Sequence, residues 1–98
     1  MPVPPPKALL AANGRWPVGP WRTGLPPAER LAAIRVAEIS ATIRAERSRR
    51  GETQAELAEA AGVALTTVNR IETGRVWPDV RTVWLLLGAL DVTEWPRS

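Results

Sequence analysis

The sequence predicts an all-α fold, a compact bundle of about five helices preceded by an irregular arm rich in proline and tryptophan. Residues 1–27 hold eight of the ten prolines and three of the seven glycines, and these residues interrupt helices and central strands. From Ala28 onward the chain is rich in Ala, Leu, Glu and Arg, which favour helices. We therefore expect an N-terminal arm, 1–27, followed by one folded domain, 28–98.

The first helix begins at the Pro26-Pro27 pair, because proline suits the first turn and Glu29 complements the positive end of the helix dipole. The helical pattern continues to Arg50 and stops at Gly51. One face carries apolar residues at spacings of three and four, Val36, Ile39 and Ile43. The pattern leaves open whether this is one long helix or two, the second beginning near Ala37.

Three shorter helices follow. Thr53 and Glu56 have the spacing of a capping box, which predicts a helix from Gln54 to Ala61 that ends at Gly62. The next helix spans 65–73, with Gly74 as its C-cap. Asp79 can cap the last helix, whose apolar face is formed by Val83, Leu86, Leu87 and Leu90. Strand-like alternation is absent.

Residues 53–74 form a helix, a tight turn and a second helix. Where two short helices cross at ~90–120°, a small residue must lie at the contact and the turn must tolerate a positive φ. Ala58 and Gly62 meet these needs, while Val63, Val68 and Ile71 point inward. The outer face of the second helix is then free to enter the major groove of DNA.

This segment resembles the Xre/Cro-type helix-turn-helix family, which includes the phage repressors. The similarity extends from about Ile39 to Val92. The matching residues are Thr53, Gln54, Leu57, Ala58, Gly62, Val63, Val68, Ile71, Glu72, Gly74 and Pro78. The resemblance implies a sequence-specific double-stranded DNA-binding transcription regulator, a repressor that reads the major groove with the helix at 65–73.

The resemblance also implies roles for individual residues. The positions that face base edges are Leu65, Thr66, Asn69 and Arg70. The positions that contact the DNA backbone are Gln54, Thr67, Thr73 and Arg75. Arg47 and Glu72 match a partly buried structural salt bridge. Side-chain chemistry supports three of the base contacts, because arginine pairs with guanine, asparagine pairs with adenine, and leucine packs on the thymine methyl.

Five large apolar residues remain as candidates for contacts with a second copy or another protein: Trp16, Trp21, Trp84, Leu85 and Trp95. Three of them fall outside the predicted core stripe of the last helix and suggest a homodimer. Trp16 and Trp21 belong to the arm, which is either a disordered tail or a segment that packs on its own domain, a second subunit or a partner protein.

The composition favours a polyanionic partner. The net charge is +3 and Arg outnumbers Lys twelve to one, although GC-rich coding bias would give a similar composition. The chain has no Cys and no His, and no carboxylate pair accompanies a nucleophile, so we expect no enzyme activity, metal site or cofactor. No apolar run is long enough to span a membrane, and we expect a cytoplasmic, nucleoid-associated protein.

A second hypothesis comes from a different functional class. The chain could be a protein-interaction module, such as an antitoxin or anti-regulator, that binds its partner through the Pro/Trp arm, while DNA binding is secondary. A salt-dependent mobility shift would favour the regulator, and co-purification of a stoichiometric partner would favour the interaction module.

Overall fold

A computed structural model describes residues 3–96, and this part of the chain contains four α-helices: α1 (Pro27–Arg49), α2 (Gln54–Ala61), α3 (Leu65–Glu72) and α4 (Val80–Ala89). The predicted helical bundle is confirmed, but the predicted number of about five helices is too high. The first helical segment is one continuous helix. No residue near Ala37 breaks the pattern, so backbone hydrogen bonding continues through it.

α1 begins with proline in its first turn and ends before Gly51, which has φ +68°. Its buried face comprises Ala33, Ala37, Ile39, Ser40 and Ile43. Val36, predicted to lie on this face, is only half-buried. The buried stripe is made largely of small residues, which allow other segments to approach the helix closely.

The predicted side-chain caps of α2 and α4 are present. Thr53 Oγ1 accepts a hydrogen bond from the Glu56 backbone N–H at 3.1 Å, and Glu56 Oε1 accepts one from the Thr53 N–H at 2.9 Å. Asp79 Oδ1 accepts a hydrogen bond from the Thr82 N–H at 2.7 Å. Each cap satisfies backbone donors that the first turn of a helix leaves unpaired.

α3 is one residue shorter than predicted. It ends at Glu72, Thr73 is its C-cap, and Gly74 follows with φ +71°. The main core lies between the four helices and consists of Ile39, Ile43, Leu57, Ala58, Ala61, Val68, Ile71, Val83, Leu86, Leu87 and Leu90. The predicted apolar face of α4 therefore belongs to the core.

The arm is not irregular, and the prediction that strands are absent is wrong. A 3₁₀ turn at Pro6–Leu9 leads into an antiparallel pair, β1 (Leu10–Arg15) and β2 (Gly19–Trp21). The register is irregular between its two ends, so the strands show no clean alternation of polar and apolar residues. Such a short hairpin is marginal alone and needs packing against another element.

The arm packs on its own domain. The Lys7 N–H donates a hydrogen bond to the Gly74 carbonyl at 2.9 Å, and Trp77 Nε1 donates one to the Pro4 carbonyl at 2.7 Å. The 3₁₀ turn contacts α1, and Leu9 is buried. The arm thus touches both the long helix and the loop between α3 and α4.

Candidate nucleic-acid interface

One concave surface brings together six of the eight residues predicted to contact DNA. These residues are Gln54, Leu65, Thr66, Asn69, Arg70 and Arg75. They come from the N-terminus of α2, the outer face of α3 and the loop that follows α3. The surface is open to solvent and combines donors, acceptors, one apolar side chain and two positive charges.

The inward face of α3 determines which side chains reach this surface. Val68, Ile71 and Glu72 are 0–2% exposed. Because successive helical residues are rotated by about 100°, the opposite side is left to Thr66 and Arg70, which are exposed. Leu65 is 49% exposed because it is the first residue of the helix. The same burial that anchors α3 therefore presents its outer face.

The two remaining predicted contacts, Thr67 and Thr73, lie elsewhere on α3. Thr67 is half-buried and lines an adjacent groove with Val76 and Trp77. Thr73 Oγ1 donates a hydrogen bond to the Asn69 carbonyl at 2.7 Å. This internal bond uses the hydroxyl proton of Thr73, so its oxygen is left as an acceptor.

Arg47 and Glu72 form a bidentate pair beneath α3. Arg47 Nε lies 2.8 Å from Glu72 Oε2, and Arg47 Nη2 lies 3.0 Å from Glu72 Oε1. Arg47 Nη1 also donates to the Glu52 carbonyl at 2.8 Å. The hydrogen bonds to Glu72 raise the pKa of Arg47, against the opposing effect of burial. The pair joins α1 to the C-terminal end of α3.

Sequence reasoning missed that this pair continues into the candidate interface. Gln54 Nε2 donates to Glu72 Oε1 at 3.2 Å, and Asn69 Nδ2 donates to Gln54 Oε1 at 3.3 Å. Each amide nitrogen has two N–H groups, so both side chains keep a donor for another partner. The spacing of Asn69 and Glu72, three residues apart on one helix, could have indicated a shared face.

Sequence reasoning also missed Ser40. Its hydroxyl is fully buried in α1 and donates to the Ile71 carbonyl at 2.7 Å. This bond satisfies a carbonyl near the C-terminus of α3, where intrahelical partners run out. A serine within a helical pattern gives no local indication of such a distant partner.

Two cations of the concave surface are available for an external anion. Arg70 and Arg75 are exposed, and neither takes part in the ion pairs formed among residues 3–96. Arg47, by contrast, is held by Glu72. The geometry therefore separates one arginine that supports α3 from two that point outward.

The sequence model of the helix-turn-helix family matches residues 43–94, a little over half of the chain. The chain belongs to the Xre/Cro-like helix-turn-helix family. Members of this family are DNA-binding regulators, and membership implies that the chain binds DNA. Comparisons with curated proteins and with solved structures found no match.

In this Xre/Cro-like chain, the residues predicted for a dimer contact fall into two groups. Trp84 and Trp95 are 37% and 40% exposed, and their ring centroids lie 5.1 Å apart. Leu85 instead packs against the core. In the arm, Trp16 and Trp21 contact each other edge to face at 6.0 Å. The exposed pair on α4 and the tail is therefore separate from the arm's pair.

Within residues 3–96, no three acidic, histidine or cysteine side chains lie close enough together to hold a metal ion. None of the helices in this part is both long enough and apolar enough to cross a membrane.

Proposed function

We propose that this protein is a transcription repressor that binds a specific double-stranded DNA site and reads its major groove with residues 65–73. The observation that carries the proposal is the concave surface formed by α2, α3 and the following loop. It gathers two outward-pointing arginines, two amides and an apolar side chain. An α-helix such as α3 is about 10–12 Å across with its side chains and fits the width of the major groove.

The residues of α3 divide by the DNA groups they suit. Arg70 can donate two hydrogen bonds to guanine O6 and N7, and Asn69 can pair with adenine N6 and N7. Leu65 can pack on a thymine methyl. Gln54 sits at the N-terminus of α2, where backbone donors and a side-chain amide favour a phosphate. We assign Thr66 to a base edge and Thr67 and Arg75 to the backbone. Thr73 can donate to a phosphate only if its hydroxyl first leaves the Asn69 carbonyl.

The primary test is selection of bound duplexes from a random DNA pool, followed by titration of the selected site. We expect one enriched sequence and an affinity that falls steeply as salt rises, because phosphate contacts release counterions. Binding that shows no sequence enrichment at any salt concentration would contradict sequence-specific recognition.

Single substitutions separate base contacts from backbone contacts. Arg70→Ala should cost about 1–3 kcal/mol on the selected site and relax preference at one base position. Gln54→Ala should weaken binding to all sequences alike. Arg30→Ala is the control, because Arg30 is equally exposed but lies on α1 beside Leu31 and Ile34. Loss of affinity in the Arg30 variant equal to that in the Arg70 variant would refute the assignment.

We also propose that the repressor acts as a homodimer on an inverted repeat. Two recognition helices on one face of DNA require half-site centres about 34 Å apart. The exposed Trp84–Trp95 pair is the candidate seam, because large exposed apolar patches mark association sites. Trp84→Glu should shift sedimentation toward the monomer. Leu31→Glu, at a residue that is 51% exposed on α1, should leave the oligomeric state unchanged.

The protein-interaction hypothesis makes a different use of the arm. It needs Trp16 and Trp21 to bind a partner, whereas these rings contact each other and Trp16 also packs on Gly74. These internal contacts support the repressor over the interaction module. A stoichiometric partner that is retained by the parent and lost on Trp21→Ala, with no DNA selected, would reverse this preference.

A further inference from the structure

The net charge of this protein comes entirely from its arm. Residues 1–28 contain three of the thirteen basic residues, Lys7, Arg15 and Arg22, and none of the ten acidic ones. The remaining seventy residues therefore hold ten of each sign. A domain with no net charge gains little long-range attraction to a polyanion, so the arm supplies the excess positive charge.

The structure places part of this charge at the C-terminal end of α3. The Lys7 N–H lies 2.9 Å from the Gly74 carbonyl. From the turn that follows β1, the Trp16 ring packs on the same glycine so closely that a Cβ there would lie 2.5 Å from Trp16 Cδ2. The Lys7 backbone and the Trp16 ring thus both contact Gly74, the residue before Arg75, and Arg15 directly precedes Trp16 in sequence.

The turn of the hairpin also contacts the flank of the helix-turn-helix. Pro17, at its tip, lines a groove with Arg44 and Arg47 of α1. Arg44 Nε lies 4.0 Å from Glu72 Oε1 at the end of α3. The hairpin therefore sits against both α1 and the residues that end α3, which fixes its position relative to the concave surface.

The side chains of Lys7 and Arg15 remain available for an anion. Both are exposed, and neither belongs to an ion pair among the residues that the structure describes. The first acidic residue along the chain is Glu29. Glu29 lines a groove with Pro4 and Leu9 of the arm, but it forms none of these ion pairs.

We propose that Lys7 and Arg15 form, with Arg75, a phosphate-binding cluster that extends the DNA contact beyond the C-terminal end of the recognition helix. This inference rests on the proposed function. When α3 lies in the major groove, the sugar–phosphate backbones form the walls of that groove. An element fixed at one end of an eight-residue helix lies beside such a wall, and Lys and Arg there contact phosphates without reading sequence.

The experiment uses the full chain and the duplex selected from the random pool, prepared in two lengths. The short form contains the selected base pairs alone, and the long form adds flanking base pairs on each side. We expect the parent to bind the long form more tightly. The double variant Lys7→Ala, Arg15→Ala should lose about 10-fold in affinity for the long form and lose the preference for length. Its slope of log K against log salt should fall by about 1.8 for each bound subunit.

Arg30→Ala is the matched control, because Arg30 is an exposed cation that lies outside the arm, on α1 beside Leu31 and Ile34. It should leave the length preference and salt slope as in the parent. The charge-preserving double variant Lys7→Arg, Arg15→Lys should also bind as the parent does. Thermal unfolding of all variants should agree, since each altered side chain is exposed.

Three outcomes would overturn the cluster. An unchanged salt slope in the double alanine variant would show that these residues meet no phosphate. Equal losses in Arg30→Ala would show a general charge effect instead of a positioned contact. If Lys7 and Arg15 instead bind an acidic partner protein, and the double alanine variant binds DNA as the parent does, the two cations belong to the contact with that partner. If the parent selects no duplex at all, the proposed function itself fails, which is a distinguishable result.

Discussion

A glycine with a left-handed backbone lies just past the end of both α2 and α3, but only the glycine after α3 is covered by another segment of the chain. Gly62 follows α2 with φ +72°, and Gly74 follows α3 with φ +71°. A Cβ at Gly62 would meet no atom within 4 Å, whereas one at Gly74 would collide with the Trp16 ring. The first glycine serves only the backbone turn, and the second also serves as the docking point of the arm.

The comparison shows two levels of organisation in one small protein. The turn at Gly62 belongs to the local rules that build a helix-turn-helix from caps, small residues and an apolar stripe. The end at Gly74 depends in addition on Lys7 and Trp16, which are far away in sequence. The arm therefore holds the loop that carries Arg75, at the edge of the candidate DNA-binding surface.

The largest expected effect concerns the Arg47–Glu72 ion pair beneath α3, which is not part of the contact between the arm and Gly74. Arg47→Ala should lower the free energy of unfolding by about 3–5 kcal/mol, because it leaves the Glu72 carboxylate buried with fewer donors. The Glu72 side chain is only 3% exposed, while that of Arg47 is 20% exposed. Chemical denaturation of the single variants and of the Arg47→Ala, Glu72→Ala double variant measures the effect.

In that cycle the double variant should be less destabilised than the sum of the single variants, because it removes both charges together. Arg49→Ala is the control, since Arg49 forms an exposed pair with Glu46 and such pairs contribute little. Small, additive losses at Arg47 and Glu72 would show that the buried pair does not hold α3 in solution.

The second prediction tests the two glycines directly. Gly62→Ala should cost about 1 kcal/mol, the strain of a left-handed backbone at a residue with a Cβ. Gly74→Ala has the same strain and must also displace the Trp16 ring, which adds about 1–3 kcal/mol of overpacking. Thermal unfolding measures the difference, and amide exchange should show the arm losing protection only in the Gly74 variant.

The coupling partner of Gly74 gives a further check on this prediction. In a Trp16→Ala background, the extra cost at Gly74 should disappear and leave Gly74→Ala close to Gly62→Ala. If the two glycine variants already cost the same in the parent chain, the arm does not dock at the end of α3.

The sequence predicted the helix-turn-helix well because its rules are local. The bounds of α2, the capping box at Thr53 and the cap at Asp79 all follow from residues within four positions of one another. The core stripe of α4 was equally readable. The six residues that share the concave surface were carried over from a family resemblance, and their roles toward DNA stay predictions.

The arm and the polar network could not be predicted in the same way. Proline and glycine argue against regular structure, yet two short strands form because Lys7, Trp16 and Leu9 dock on distant residues. The hydrogen bonds from Gln54 to Glu72 and from Asn69 to Gln54 join residues that are 18 and 15 positions apart in sequence, a separation over which no local pattern predicts a side-chain contact.

The third prediction weakens the arm's contact without a change of packing volume near Gly74. Trp77→Phe removes the hydrogen bond from Trp77 Nε1 to the Pro4 carbonyl, and should cost about 0.5–1 kcal/mol. Amide exchange should rise at the start of the arm and stay unchanged in α2. Trp84→Phe, at an exposed tryptophan of α4, is the control. Equal rates of amide exchange at the start of the arm in the two variants would argue against the hydrogen bond from Trp77 to Pro4.

The smallest expected effect is a pH dependence confined to the helix caps. Hydrogen bonds from Thr53, the backbone N–H first, lower the pKa of Glu56. Hydrogen bonds from Thr82 lower the pKa of Asp79. A carboxyl whose pKa is lower in the folded state stabilises the fold above its unfolded pKa, ordinarily about 4. That contribution is lost as the pH falls through the folded value.

The double variant Glu56→Gln, Asp79→Asn isolates this effect, because glutamine and asparagine keep the capping geometry but do not titrate. Its free energy of unfolding should fall less steeply than the parent's between pH 5 and pH 3, a range spanning about one unit on each side of the ordinary values. All other carboxylates are common to both proteins and cancel in the comparison. The arm has no acidic residue before Glu29, so acid can loosen it only through the domain that it docks on. Equal slopes of the free energy of unfolding against pH in the two proteins would show that the caps do not contribute. If the arm loses amide protection at a higher pH than the domain does, its docking is less stable than the domain.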